Sequence, residues 1–132
     1  MKNVFFLLLL CIGCTAKKDV SNQPIIFVGT YTQNLGFVDG KASGIYTCRL
    51  DMATGELTVV DSIGGIANPS FLTVSPDKKY LYAVAENGGK LEAPFGSVVA
   101  YKITDGGKLL KINEVTSYGA APCFVSTDQT GK

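Results

Sequence analysis

From residue 25 onward, short apolar or alternating runs are separated by clusters of Gly, Pro, Asp and Asn. Ile25-Ile26-Phe27-Val28 opens a predicted strand that continues through Gly29-Thr30-Tyr31-Thr32. Gly44 to Asp51 (GIYTCRLD) alternates apolar and polar side chains, the two-residue period of a half-buried strand. Asp51 to Glu56 (DMATGE) reads as a turn, with Gly55 free to take positive φ. Leu57 to Ile63 (LTVVDSI) returns as the second arm of a hairpin. Phe71 to Val74 is a short strand, and Ser75-Pro76-Asp77 begins a turn with Pro at its second position. Tyr80 to Glu86 (YLYAVAE) is a nearly continuous apolar run, which suits a strand covered on both faces. Gly96 to Ile103 and Leu109 to Thr116 follow, joined by a turn at Asp105-Gly106-Gly107-Lys108. No stretch keeps a helical period over ~11 residues, the shortest useful window.

The order of these features recurs. Asn68-Pro69-Ser70-Phe71-Leu72-Thr73 is echoed by Ala121-Pro122-Cys123-Phe124-Val125-Ser126. Pro69 and Pro122 are 53 positions apart, as are Lys79 and Lys132, and Leu57 and Leu109 are 52 apart. A four-stranded meander repeated at this spacing is the mark of a β-propeller blade. A β-sandwich also has short strands but needs no fixed period. The expected fold is therefore all-β, a β-propeller of four-stranded antiparallel blades. Residues 25–63 form a partial blade, 69–117 a full blade and 122–132 the start of a third. A ring needs ~4–8 blades, so about two leave it incomplete. The expectation is an N-terminal piece of a longer protein, cut in mid-blade.

Ahead of this repeat lies a different pattern. Met1-Lys2-Asn3 carries one positive charge, and Val4 to Ile12 (VFFLLLLCI) is an uncharged run of nine, short of the ~20 residues that span a bilayer. A basic start, a short apolar core and a small residue are the anatomy of an export signal. Leu10-Cys11-Ile12-Gly13-Cys14 resembles the bacterial lipoprotein signal, in which a Cys after a small residue is lipidated and becomes the new N-terminus. Residues 1–13 are thus expected to be a lipoprotein signal peptide and Cys14 the lipidation site. Polar residues 14–24 form a tether. The resemblance implies an exported bacterial protein, held in the periplasm or at the outer membrane; ordinary cleavage without a lipid is the alternative.

Composition narrows the chemistry. The 132 residues include 12 basic and 11 acidic side chains, for a net charge of +1, which argues against a nucleic-acid partner. The absence of His excludes His-based acid–base catalysis and a Ser-His-Asp triad within these residues. There is no metal-ligand spacing and no cofactor motif; Gly88-Gly89 and Gly106-Gly107 lack the context of a phosphate loop. Cys48 and Cys123 sit two blades apart, beyond the ~7 Å reach of a disulfide, and are expected to be buried free thiols.

The ordered motifs Phe27-Val28-Gly29-Thr30-Tyr31-Thr32, Ser43-Gly44-Ile45-Tyr46, Thr54-Gly55-Glu56-Leu57, Asn68-Pro69-Ser70-Phe71-Leu72, Ser75-Pro76-Asp77, Tyr80-Leu81-Tyr82-Ala83-Val84 with Glu86, and Gly119-Ala120-Ala121-Pro122-Cys123 span residues 25–132. Together they resemble the opening of the seven-bladed β-propeller lactonase family, which includes the propeller-type 6-phosphogluconolactonases. The resemblance implies hydrolysis of a small-molecule sugar lactone without a metal. It also places most of the machinery in later blades. After Pro-Cys many members carry His, where this chain has Phe124.

Lactone hydrolysis needs a base to activate water and a donor for the developing oxyanion. Most carboxylates (Asp51, Glu56, Asp77, Asp105, Asp128) sit at turns, where bonding to the backbone explains them. Glu86 instead ends an apolar strand, where it faces either a channel or open solvent. The family's Val-x-Glu strand end resembles this position and implies a catalytic carboxylate. Tyr31 occupies the comparable end of the first unit, as a substrate-binding donor or a packed rim tyrosine. Arg49 reads as a structural strand residue sooner than an anion ligand. The expected function is a sugar-lactone hydrolase of the 6-phosphogluconolactonase type. The alternatives are a non-catalytic binding or scaffold lipoprotein and an inert truncated piece.

Overall fold

The computed structural model describes residues 21–87 and 94–131. The export signal, Cys14, residues 14–20 of the tether and Gly88-Gly89 lie outside the described residues. Seven strands form: β1 (Ile25–Val28), β2 (Ile45–Leu50), β3 (Leu57–Ile63), β4 (Leu72–Val74), β5 (Tyr80–Ala85), β6 (Ser97–Ile103) and β7 (Leu109–Thr116). They build two antiparallel meanders, a three-stranded sheet β1-β2-β3 and a four-stranded sheet β4-β5-β6-β7. Among the described residues there is no α-helix, only a short 3-10 turn at Asp105–Gly107. The all-β, open-ringed architecture expected from the pattern is the one observed.

The repeat extends to details of backbone shape. In β2 against β3 the register shifts between Thr47 and Cys48, leaving Val60 as an extra residue. In β6 against β7 it shifts between Ala100 and Tyr101, leaving Ile112 extra. Thr47 and Ala100 are 53 positions apart, so each outer hairpin carries its bulge at the same place and gains the added twist that bulges impart. Asn68 and Ala121, also 53 apart, both adopt left-handed backbone, with φ of 45° and 48°.

The core lies between the two sheets. Leu81, Ala83 and Ala85 from alternate positions of β5 join Val99 and Tyr101 of β6, Leu109, Ile66 and Ile45 of β2. Phe27, Ile63, Leu72 and Ile103 pack around them. Each large side chain fully buried there contributes roughly 1.5–3 kcal/mol. Val84, on the opposite face of β5, is also fully buried, so the strand is covered on both faces as its unbroken apolar run predicts.

Three differences from the sequence reading have physical causes. The first strand ends at Val28 and does not run on through Thr32. The N–H groups of Thr32 and Gln33 donate instead to the side-chain oxygen of Asn68 (2.9 and 3.0 Å), outside any ladder. Pro122 to Thr127 forms no strand and joins neither sheet. Cys48 is buried as expected, but Cys123 is exposed, since it sits on that same uncovered segment.

Candidate active site

Local turn chemistry delivers the site residues to one end of the two sheets. β1 and β5 both run toward this end, so the residues just past them, Tyr31 and Glu86, emerge together. Between them enters Asn68, at the start of the segment leading into β4. Gly29 makes the approach possible: a Cβ there would lie 2.0 Å from the carbonyl oxygen of Pro69. Only a residue without a side chain lets the two segments run this close.

The Tyr31 hydroxyl donates to Glu86 Oε2 at 3.0 Å. The two candidates singled out from separate strand ends, 55 positions apart, are therefore direct partners. The bond to the Glu86 carboxylate, followed by burial and by the negative charge of Glu86, raises the Tyr31 phenol above its ordinary 10.0, while Ser70 pulls weakly the other way. Tyr31 thus stays protonated and donating through neutral and mildly alkaline pH. The other oxygen of Glu86 carries no hydrogen bond among the described residues. A carboxylate held on one oxygen by a donor and open on the other is arranged to accept a proton from water.

One aromatic ring packs on this pair, and another aromatic contact involves the segment after Pro122. Phe37 meets Tyr31 edge-to-face, with centroids 6.3 Å apart and planes at 85°. Phe124 packs on Phe71 at 4.8 Å, yet remains 65% exposed. The residue after Pro122-Cys123 therefore presents an open phenyl face. Asn87, next to Glu86, has a buried Oδ1 with no hydrogen-bond partner among the described residues, a cost of about 1–3 kcal/mol when left unmet.

The other candidates lie apart from the pair. Arg49, at the opposite end of the sheets, donates to the carbonyls of Gln23 (2.6 Å) and Gly106 (3.5 Å) and so ties the residues before β1 to the neighbouring sheet's turn. A groove of about 510 Å³ beside it is lined by Ile25, Phe27, Val74, Lys78 and Ile103. No carboxylate lines it. The turn carboxylates bond locally: Asp51 accepts from Ala53 and Thr54, Asp77 from Ser75 and Lys79, and Asp128 from Thr130. No cluster of three or more His, Cys, Asp or Glu occurs among the described residues. Sequence reasoning missed Asn68 as a functional residue. The available signal was a polar residue ahead of Pro69 where the next repeat has Ala121.

Comparison with known proteins gives this geometry its context. Residues 25–132 match the family model of the lactonase, 7-bladed beta-propeller. The chain is 32% identical over 108 residues to a 6-phosphogluconolactonase of Formosa agariphila, covering 81% of the chain and 28% of that protein. It superposes on a Bacteroides fragilis protein of known structure with a TM-score of 0.68 at 30% identity, covering 86% of the chain and 29% of the other. The Pseudomonas aeruginosa periplasmic gluconolactonase PpgL gives 0.63 at 30% identity, covering 81% and 28%. The chain spans less than a third of the length of these relatives. With its two bladed sheets and its ordered motifs, the chain belongs to the seven-bladed β-propeller lactonase family.

Proposed function

We propose that these residues supply one sector of a lactonase active site, in which Glu86 is the general base and Tyr31 holds it in place. Water bound at the open oxygen of Glu86 gives up a proton to the carboxylate and attacks the carbonyl carbon of a sugar lactone. The tetrahedral intermediate collapses, the ring C–O bond breaks, and the departing alkoxide takes the proton back from Glu86, leaving an aldonic acid and the carboxylate regenerated. No metal is invoked. The hydrogen bond from Tyr31 to Glu86 carries the reading, because it joins a donor and a carboxylate at one end of the sheets, with Phe37 packed on the tyrosine. The relatives' names point to gluconolactone or its 6-phosphate as substrate class.

The same reading extends to placement in the cell. Residues 1–13 are a lipoprotein signal, 14–24 a tether and Cys14 the lipid attachment point, so the protein is exported and membrane-held. The periplasmic location named for one relative supports export. An exported enzyme meets unphosphorylated sugars more readily than a cytosolic phosphate ester, which favours the plain sugar lactone. Within the domain, 25–63, 69–117 and 122–132 are successive blade segments.

The decisive experiment is lactone hydrolysis by the complete protein, with gluconolactone and its 6-phosphate as substrates. Glu86→Gln is expected to lower kcat by ~10²–10⁴-fold, and Tyr31→Phe by less. Full activity in Glu86→Gln would remove that residue from the chemistry. One observation favours a second reading as a binding module: the exposed Phe124 against Phe71, where a His would otherwise stand. Saturable lactone binding with no turnover would select it.

A further inference from the structure

Asn68 is completely buried, and every polar atom it has is used. Its side-chain oxygen accepts from the N–H groups of Thr32 and Gln33, at 2.9 and 3.0 Å, immediately after Tyr31. Its side-chain nitrogen donates to the backbone carbonyl of Glu86 at 3.2 Å. Its backbone carbonyl accepts from the Glu86 N–H at 3.2 Å, and its own N–H donates to Thr32 Oγ1 at 3.0 Å. Two N–H donors on one side and a carbonyl on the other allow only one orientation of the amide. One side chain therefore bridges the loop that carries Tyr31 and the strand end that carries Glu86.

Backbone shape alone does not require an asparagine here. Ala121, at the same place in the next repeat, holds nearly the same left-handed φ with no polar side chain. Of these two positions, the amide stands at the one beside a tyrosine and a carboxylate in contact. We infer that Asn68 is a positioning residue, which sets the Tyr31–Glu86 contact by clamping the backbone of Glu86 and of the two residues that follow Tyr31. The inference rests on reading that pair as catalytic. It adds that the geometry of the pair is imposed from a third segment and does not arise from the two residues alone.

The test is the titration of Tyr31 in the complete protein, read from tyrosinate absorbance as the difference between each background and the same background carrying Tyr31→Phe. Asn68→Gly removes the amide and keeps the left-handed backbone accessible. The expected result is a downward shift of the Tyr31 midpoint toward its ordinary value, with kcat reduced ~10–100-fold and KM little changed. Thr32→Val, which removes only the hydroxyl that receives the Asn68 N–H, is expected to give a smaller shift in the same direction. An unchanged Tyr31 midpoint in folded Asn68→Gly, or in Thr32→Val should Asn68→Gly not fold, overturns the inference, even if thermal stability drops. A shifted midpoint combined with full activity of Glu86→Gln would instead uphold the clamp and defeat the catalytic reading of the pair.

Discussion

At the scale of the residue, burial decides which ionisable groups matter for stability. Tyr101 is 1% exposed in the core, and that burial, with the Glu114 charge second, pushes its phenol up to about 12. In the unfolded chain it titrates near 10. A group whose pKa is raised by folding stabilises the native state below the unfolded value and loses that contribution as pH climbs through the folded value. Between pH 10 and 12 Tyr101 should therefore withdraw about 2–3 kcal/mol of stability. Denaturant unfolding across that window should show the loss in the wild type and a flatter profile in Tyr101→Phe; equal slopes would refute it. Tyr31 and Glu86 were each legible as side chains at strand ends. Their contact was not, because it depends on how two sheets meet across 55 positions. Asn68 was hidden for the same reason: its partners at 32, 33 and 86 are neighbours only after packing.

Elements were the most legible level. β3 and β7 have the bounds that alternation and turn residues indicate, and β2, β5 and β6 differ by a single residue at one or both ends. Turn chemistry fixed them: Gly55 and Gly106 take φ of 75°, as their turns require. The bulges were not legible, since Val60 and Ile112 are apolar and pass for ordinary strand positions. The early end of β1 was also invisible, because a side chain from another segment takes the backbone donors of Thr32 and Gln33. Gly29 offers a test at this level. Its φ is unexceptional, but the space is occupied by the Pro69 carbonyl and the Leu72 side chain. Gly29→Ala should cost ~1–3 kcal/mol by overpacking and lower lactonase activity with it, because the Tyr31 loop is displaced. Gly55→Ala has open space around it and should cost only about 1 kcal/mol, for its backbone conformation. Comparing the two melting temperatures, and the two activities, checks the distinction between space and conformation.

For the whole molecule, the repeat made the bladed sheets legible, while the surfaces that blades turn toward one another could be seen only in three dimensions. Val59, Val60, Leu110, Ile112 and Val115 lie on the outer strands at 43–58% exposure. Apolar sheet faces and open strand edges of this kind seek partners. The 132-residue chain by itself should associate as its concentration rises, and Ile112→Lys should weaken that association. Sedimentation that stays monomeric at all concentrations would refute this. The exposed thiol of Cys123 has a practical consequence of another kind. It lies near Tyr31, and the other described cysteine, Cys48, is buried. A maleimide dye attached at Cys123 would stand near Tyr31, so its emission could report the arrival of a ligand at the Tyr31–Glu86 pair in real time, giving the protein its own optical readout.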